Sequence, residues 1–284
     1  MPRITDISPL SVLLSKVDAI SDGSPSGDTI ASGFASLDAL LGGGFRRRDL
    51  TVLGGDASSG KSALALAFAI RASSVGRRVA FLTGEMAPDR VLERIIAIEA
   101  RASVDDLRNG KMDDQARASA GAAAVRLRDR LPVLDQLRAG EGVEQVGQLI
   151  AGIPDVELLV IDSLAALARG DRALDEDLAA SLRRLKGLAL ERAVAILVTA
   201  PLPLLTARPD RRPTLDDFGA LGCVKQHADV VLGLFRQDMY DASHDIQGAT
   251  ELLIRKNRNG PTGYVDLYFY AQWMRFEDML DPER

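Results

Sequence analysis

The chain has 284 residues, of which 46% are apolar and 26% charged, with a net charge of −5; this is enough material for a globular α/β domain and excludes a disordered or fibrous protein. The acidic balance also excludes a surface coated by duplex DNA, so any nucleic-acid contact must be local. A single cysteine, Cys223, rules out an intrachain disulfide framework, and no apolar run approaches the roughly 20 residues of a membrane span.

The start of the chain, Met1-Pro2-Arg3-Ile4, lacks the apolar core of a secretory signal. Together with the lone cysteine, expected to be a small buried apolar side chain, this points to a cytoplasmic protein. Leu10, Leu13, Leu14 and Val17 recur at helical spacing, which predicts an amphipathic helix over 9–20. The breaker-rich run 21–27 then reads as a flexible linker, so the helix either folds back on its own domain or reaches a neighbouring subunit. Residues 1–30 therefore form an arm, and 31–284 the main domain.

Asp49-Leu50-Thr51-Val52-Leu53 predicts a short apolar strand, and Ala63 to Ala72 a helix. Between them lies Gly55-Asp56-Ala57-Ser58-Ser59-Gly60-Lys61-Ser62, a complete phosphate-loop pattern in the strand–loop–helix context that makes it work. The glycines let successive N–H groups curl around one phosphate cluster, and the helix adds the positive end of its dipole. Lys61 is the candidate cation for the β- and γ-phosphates of ATP, and the Ser62 hydroxyl the candidate Mg²⁺ ligand.

Hydrolysis needs three further groups: a metal carboxylate, a base that orients water, and a second cation. The strand predicted near 157–162 ends in Asp162, which would stand beside Ser62 as the metal carboxylate. The strand over 78–83 leads to Glu85 at the same sheet edge, the candidate general base. Leu178, Leu182, Leu185 and Ala189 mark a helix with one buried stripe, and Asp175-Glu176-Asp177 suit its N-terminal end. Further strands are predicted over 193–199 and 229–235, and an antiparallel ribbon over 249–257 and 264–270 turns at Asn259-Gly260. The whole reads as an α/β fold with a mostly parallel sheet flanked by helices and a C-terminal ribbon. On that ribbon Lys256 and Arg258, two residues apart, face one side, toward either solvent or an anion. The basic clusters Arg46-Arg47-Arg48 and Arg183-Arg184-Lys186 read as solvated surface.

Taken in order, these residues resemble the C-terminal RecA-like ATPase domain of DnaB-type replicative helicases, over about 31–284. Phe34-Ala35-Ser36-Leu37-Asp38, Gly84-Glu85-Met86 with Arg94, Leu107-Arg108-Asn109-Gly110 and Leu185-Lys186-Gly187-Leu188-Ala189 each resemble a segment of that family. So do Arg212-Pro213-Thr214-Leu215, Gln226-His227-Ala228-Asp229 and, most specifically, Lys256-Asn257-Arg258-Asn259-Gly260-Pro261-Thr262-Gly263. The resemblance implies a homohexameric ring with Mg²⁺ and ATP between subunits, single-stranded DNA through the centre, and loader or replisome partners. It makes Arg258 an arginine finger and Lys256 its companion, both serving the neighbour's nucleotide. It also implies that the helix over 9–20 packs on the adjacent subunit.

The resemblance also implies channel-lining DNA contacts within 218–226, at Gly219, Ala220, Gly222 and Lys225, with Gly222 offering its backbone N–H. The chain departs from the family where a nucleotide-sensing glutamine becomes Ala200, and where an arginine and a glutamate of the channel loop become Gly219 and Ala220. Two acids become Lys225 and His227, and Asp162-Ser163-Leu164 is closer to RecA or KaiC proteins. The family's N-terminal primase-docking domain is expected to be missing. Two other readings follow: a RadA- or KaiC-like ATPase of recombination or regulation, and a slowly hydrolysing nucleotide-binding scaffold.

Overall fold

The computed structural model of the chain describes Leu14 and residues 27–203, 208–241 and 247–279. The helix expected over 9–20 falls, Leu14 apart, outside them. In chain order the elements are β1 (Thr29–Ile30), α1 (Ala35–Leu41), β2 (Phe45–Arg46), β3 (Leu50–Gly55), α2 (Lys61–Ser74), β4 (Val79–Thr83), α3 (Pro88–Ala100), α4 (Val104–Asn109) and α5 (Asp114–Leu127). There follow β5 (Val133–Gln136), α6 (Gly142–Ala151), β6 (Leu158–Asp162), α7 (Leu174–Arg192), β7 (Ala195–Pro201), α8 (Cys223–His227), β8 (Val230–Arg236), β9 (Ala249–Asn257), β10 (Gly263–Tyr270) and β11 (Arg275–Asp278).

Nine strands form one sheet in the order β11-β10-β9-β8-β3-β7-β6-β4-β5. The six from β8 to β5 run parallel, and β9, β10 and β11 continue the sheet antiparallel. The ribbon and its turn stand where the Asn259-Gly260 signal put them. Not anticipated were the two-residue pair β1–β2, the edge strand β5 and the closing strand β11; each has four residues or fewer, too short for the period-2 alternation that identifies a strand.

The central strands are apolar on both faces because each face is covered by helices. Leu53, Val79, Phe81, Leu158, Val160 and Leu197 pack with α2 and α3, while Leu50, Val52, Leu82, Ile161 and Val198 pack with α6 and α7. The stripe predicted on α7 is real: Leu182, Leu185 and Ala189 are fully buried. Cys223 is buried too, on α8. Phe68 of α2 anchors the first layer, meeting Phe34 and Phe45 edge-on with centroids 5.5 and 5.2 Å away. Phe68→Ala is expected to cost about 3–5 kcal/mol, read as a lower urea midpoint with an unchanged slope. Among the described residues no helix is long and apolar enough to cross a membrane.

Candidate functional site

Parallel pairing sets the site before any side chain is considered. In register, Gly55 faces Pro201 and Thr83 faces Asp162, so the loops after β3, β4, β6 and β7 all open at the carboxyl edge of the sheet, where ligands of such sheets bind. The phosphate loop leaves β3 here and enters α2 at Lys61. Its backbone depends on glycine at two points. Gly60 has φ +102°, and a Cβ there would lie 2.9 Å from Phe276; at Gly55 a Cβ would lie 2.7 Å from Ser59 Oγ. The cradle is therefore closed to side chains and open to an anion.

Lys61 Nζ donates to the Asp56 carbonyl at 2.7 Å. Burial pulls its pKa down, opposed by the charges of Asp162, Asp56 and Glu85. Ser62 Oγ donates to Asp162 Oδ1 at 3.1 Å, and Thr199 Oγ1 donates to the same oxygen at 2.6 Å. The other oxygen of Asp162 is buried without a hydrogen-bond partner among the described residues, as is Ser59 Oγ. Burial pushes the Asp162 pKa up, and its two hydroxyl donors oppose that shift. An orphaned carboxylate oxygen next to a serine hydroxyl and a phosphate cradle fits Mg²⁺ bound with a nucleotide's phosphates. Glu85 is exposed at this edge, and Ser163 Oγ donates to its Oε1 at 2.8 Å. Residues separated widely in sequence thus converge as expected: Lys61, Ser62, Asp162 and Glu85.

Lys256 and Arg258 do not join them. β9 runs antiparallel to β8, with Asn257 opposite Val230, so both cations stand at the amino edge of the parallel strands. The length of β3 separates this edge from the phosphate loop, about 16 Å, more than an arginine side chain spans. Both residues close on the carbonyl end of α8. Lys256 Nζ donates to the carbonyls of Lys225 and Ala228, at 2.6 and 2.5 Å, and Arg258 Nη2 donates to that of Gln226 at 2.6 Å.

The segment before α8 corrects the sequence reading. Ala220 is 2% exposed, and its N–H donates to Asp175 Oδ1 at 3.3 Å. The Gly222 N–H, expected to be free for a phosphate, donates to the Gly219 carbonyl at 3.1 Å. Lys225 is paired with Asp216. The cause lies in the backbone: Gly219, Ala220, Leu221 and Gly222 all have positive φ, between 51° and 76°, which coils the segment on itself and turns its donors inward. Leu221 is the large side chain left outside, 65% exposed.

Lys186 is no solvated surface cation either, since it pairs with the buried Asp229 at 2.6 Å. Nor is Arg47, which pairs with Glu157 at 2.6 Å. Sequence reasoning also passed over four partners. Thr199 and Ser163 directly abut recognised residues, but a hydroxyl at a strand end carries no distinctive signal. Tyr240, whose hydroxyl donates to Asp56 Oδ2 at 2.9 Å, and Asp229 are brought in only by tertiary pairing. Burial, and then Asp56, push the Tyr240 pKa up to about 12, so this hydroxyl stays a donor at neutral pH.

Residues 29–278 match the family described as DnaB-like helicase C terminal domain. The chain is 28% identical over 258 residues to the replicative DNA helicase DnaC of Bacillus subtilis, covering 88% of this chain and 56% of that protein; it thus spans little more than half of the relative's length. Among solved structures it resembles a DnaB-like replicative helicase described together with its interactions with primase, with 25% identity, a TM-score of 0.84, and coverage of 95% of this chain and 66% of that one. A KaiC-like protein from Pyrococcus horikoshii shares the fold, with a TM-score of 0.61 at 17% identity over 88% of this chain and 98% of that one. The RecA-like core expected from the motifs is the fold observed.

Proposed function

The chain belongs to the family of DnaB-like helicase C-terminal domains, and on that premise we propose that it is an ATP-hydrolysing motor that moves on single-stranded DNA in replication. It works as a homohexameric ring, with residues 31–284 as the motor domain. The observation that carries this reading is the division of the catalytic set between two sheet edges. Lys61, Ser62, Asp162 and Glu85 stand at one edge, while Lys256 and Arg258 stand at the other. No subunit can bring its own finger to its own nucleotide, and a head-to-tail ring supplies it from the next subunit.

In each seam the phosphate loop of one subunit binds the triphosphate. Mg²⁺, held through Ser62 with Asp162 behind it, would neutralise charge on the β- and γ-phosphates. Lys61 exchanges its loop carbonyl for those phosphates. Glu85, oriented by Ser163, takes the proton from the attacking water. The neighbour's Arg258 and Lys256 meet the charge that develops on the γ-phosphoryl group. DNA is contacted by the outer side of the coiled segment, where Leu221 stands outermost. This segment runs straight into α8, whose far end holds the finger pair, so a strand in the channel and the neighbour's active site are joined by one short helix.

The test combines native mass with ATPase rate, with and without an oligothymidylate. A hexamer stimulated about tenfold or more by the strand is expected, a change of over 1.4 kcal/mol in the barrier. A monomer that hydrolyses at full rate would refute the shared site. A flat, slow rate from a hexamer would select the nucleotide-binding scaffold, which the loss of a polar side chain at Ala200 and the inward-turned donors of 219–222 favour.

A further inference from the structure

Asp229 immediately precedes β8 at the amino edge of the sheet and is 3% exposed. One of its oxygens, Oδ2, accepts the Leu50 N–H at 2.8 Å and Lys186 Nζ at 2.6 Å. These donors belong to β3 and α7, two elements of the packed core, so the carboxylate has no freedom to rotate. Its other oxygen is thereby placed, and Arg258 Nη1 donates to it at 3.1 Å. Arg258 Nη2 donates to the Gln226 carbonyl, so the guanidinium plane is set at two points. The side chain nevertheless remains 48% exposed, and the fork can present further N–H groups outward while these two are held.

We propose that Asp229, fixed by Leu50 and Lys186, is the positioning residue of the finger: it determines where Arg258 stands at the subunit seam and so controls hydrolysis in the adjoining subunit without touching nucleotide. This rests on the reading that Arg258 acts on a neighbour's phosphate. The physical case is entropic as well as electrostatic. An unheld arginine samples many rotamers, and displacement of a catalytic group by an ångström costs about 100-fold in rate. Lys186 has a second anchor in the Arg48 carbonyl, at 2.8 Å. That ties the hub to the turn before β3, and through β3 to the loop that carries the subunit's own nucleotide.

The experiment compares Asp229→Asn, Lys186→Met and Arg258→Ala in the full chain. Asp229→Asn keeps an acceptor for Leu50 but loses the charge that holds the guanidinium. It is expected to lower kcat about 100-fold with KM for ATP within about twofold, because ATP is bound at the other edge. Mixed into wild-type rings, it should also silence the neighbouring sites, which a defect confined to the variant's own fold would not do. Lys186→Met removes one anchor and should lower kcat about tenfold, again at constant KM. If Asp229→Asn melts below the assay temperature, Lys186→Met decides. Wild-type kcat in the folded variants, alongside an inactive Arg258→Ala, overturns the positioning role and leaves the shared site standing. Full activity of Arg258→Ala overturns the shared site itself.

Discussion

Arg258→Ala is expected to cut ATP turnover by about 10³- to 10⁵-fold, the range over which a finger arginine acts, while each subunit still binds ATP normally. The reason is positional. Arg258 and the phosphate loop occupy opposite edges of the same sheet, so removing the guanidinium leaves the subunit's own Lys61, Ser62 and Asp162 untouched. On the proposed shared site, what is lost is a cation entering the next subunit's site as the γ-phosphoryl group leaves, an interaction stronger in the transition state than in the ground state. The measurement is steady-state turnover beside equilibrium binding of a fluorescent ATP analogue. Titrating the variant into wild-type rings should depress activity more steeply than its mole fraction. A strictly proportional decline would mean that each subunit completes its own reaction.

Glu85→Gln should slow hydrolysis by about 10²- to 10⁴-fold, the contribution of a placed general base, with ATP affinity and ring assembly unchanged. The substitution is a narrow one here. A glutamine retains an oxygen to accept the Ser163 hydroxyl, which at 2.8 Å orients the side chain, so the geometry persists and only the capacity to take a proton disappears. Single-turnover rates measured with prebound ATP isolate the chemical step. If turnover stays within about threefold of wild type, a change of less than 1 kcal/mol, the proton goes elsewhere. By contrast, Lys61 and Asp162 substitutions would confound binding with chemistry, since Lys61 grips the loop and Asp162 is bonded to both Ser62 and Thr199.

The local chemistry of nucleotide binding was legible because it is carried by contiguous residues. A phosphate loop needs glycines at fixed offsets between a strand and a helix, and Gly55 to Ser62 meet that condition within eight positions. Asp162 and Glu85 were legible for a related reason: each follows an apolar run long enough to be a buried strand, and parallel strands deliver their ends to one edge. A finger role for Lys256 and Arg258 was suggested only by a family pattern, since spacing alone left them facing either solvent or an anion. Their hub was not legible at all. Asp229 looked like part of a motif, and Lys186 like a solvated cation, until the sheet order brought β3, α7, β8 and β9 together.

Gly219 to Gly222 mark the boundary between the two kinds of information. Read along the chain, Gly219, Ala220 and Gly222 are small residues with available backbone donors. Once folded, Asp175 at the start of α7 accepts the Ala220 N–H, the Gly219 carbonyl accepts that of Gly222, and Leu221 is turned outward. The amino-acid order by itself determined the period of each long element, the phosphate-binding turn and the acids at the strand ends, because these follow from propensity, alternation and backbone sterics within a dozen residues. The tertiary structure alone decided which hydroxyl holds Asp162, which carboxylate holds Arg258, and that Arg258 lies on the far side of the sheet from the phosphate loop of its own chain. Those facts depend on which strands are neighbours, and neighbour choice is settled by burying both faces of the whole sheet at once.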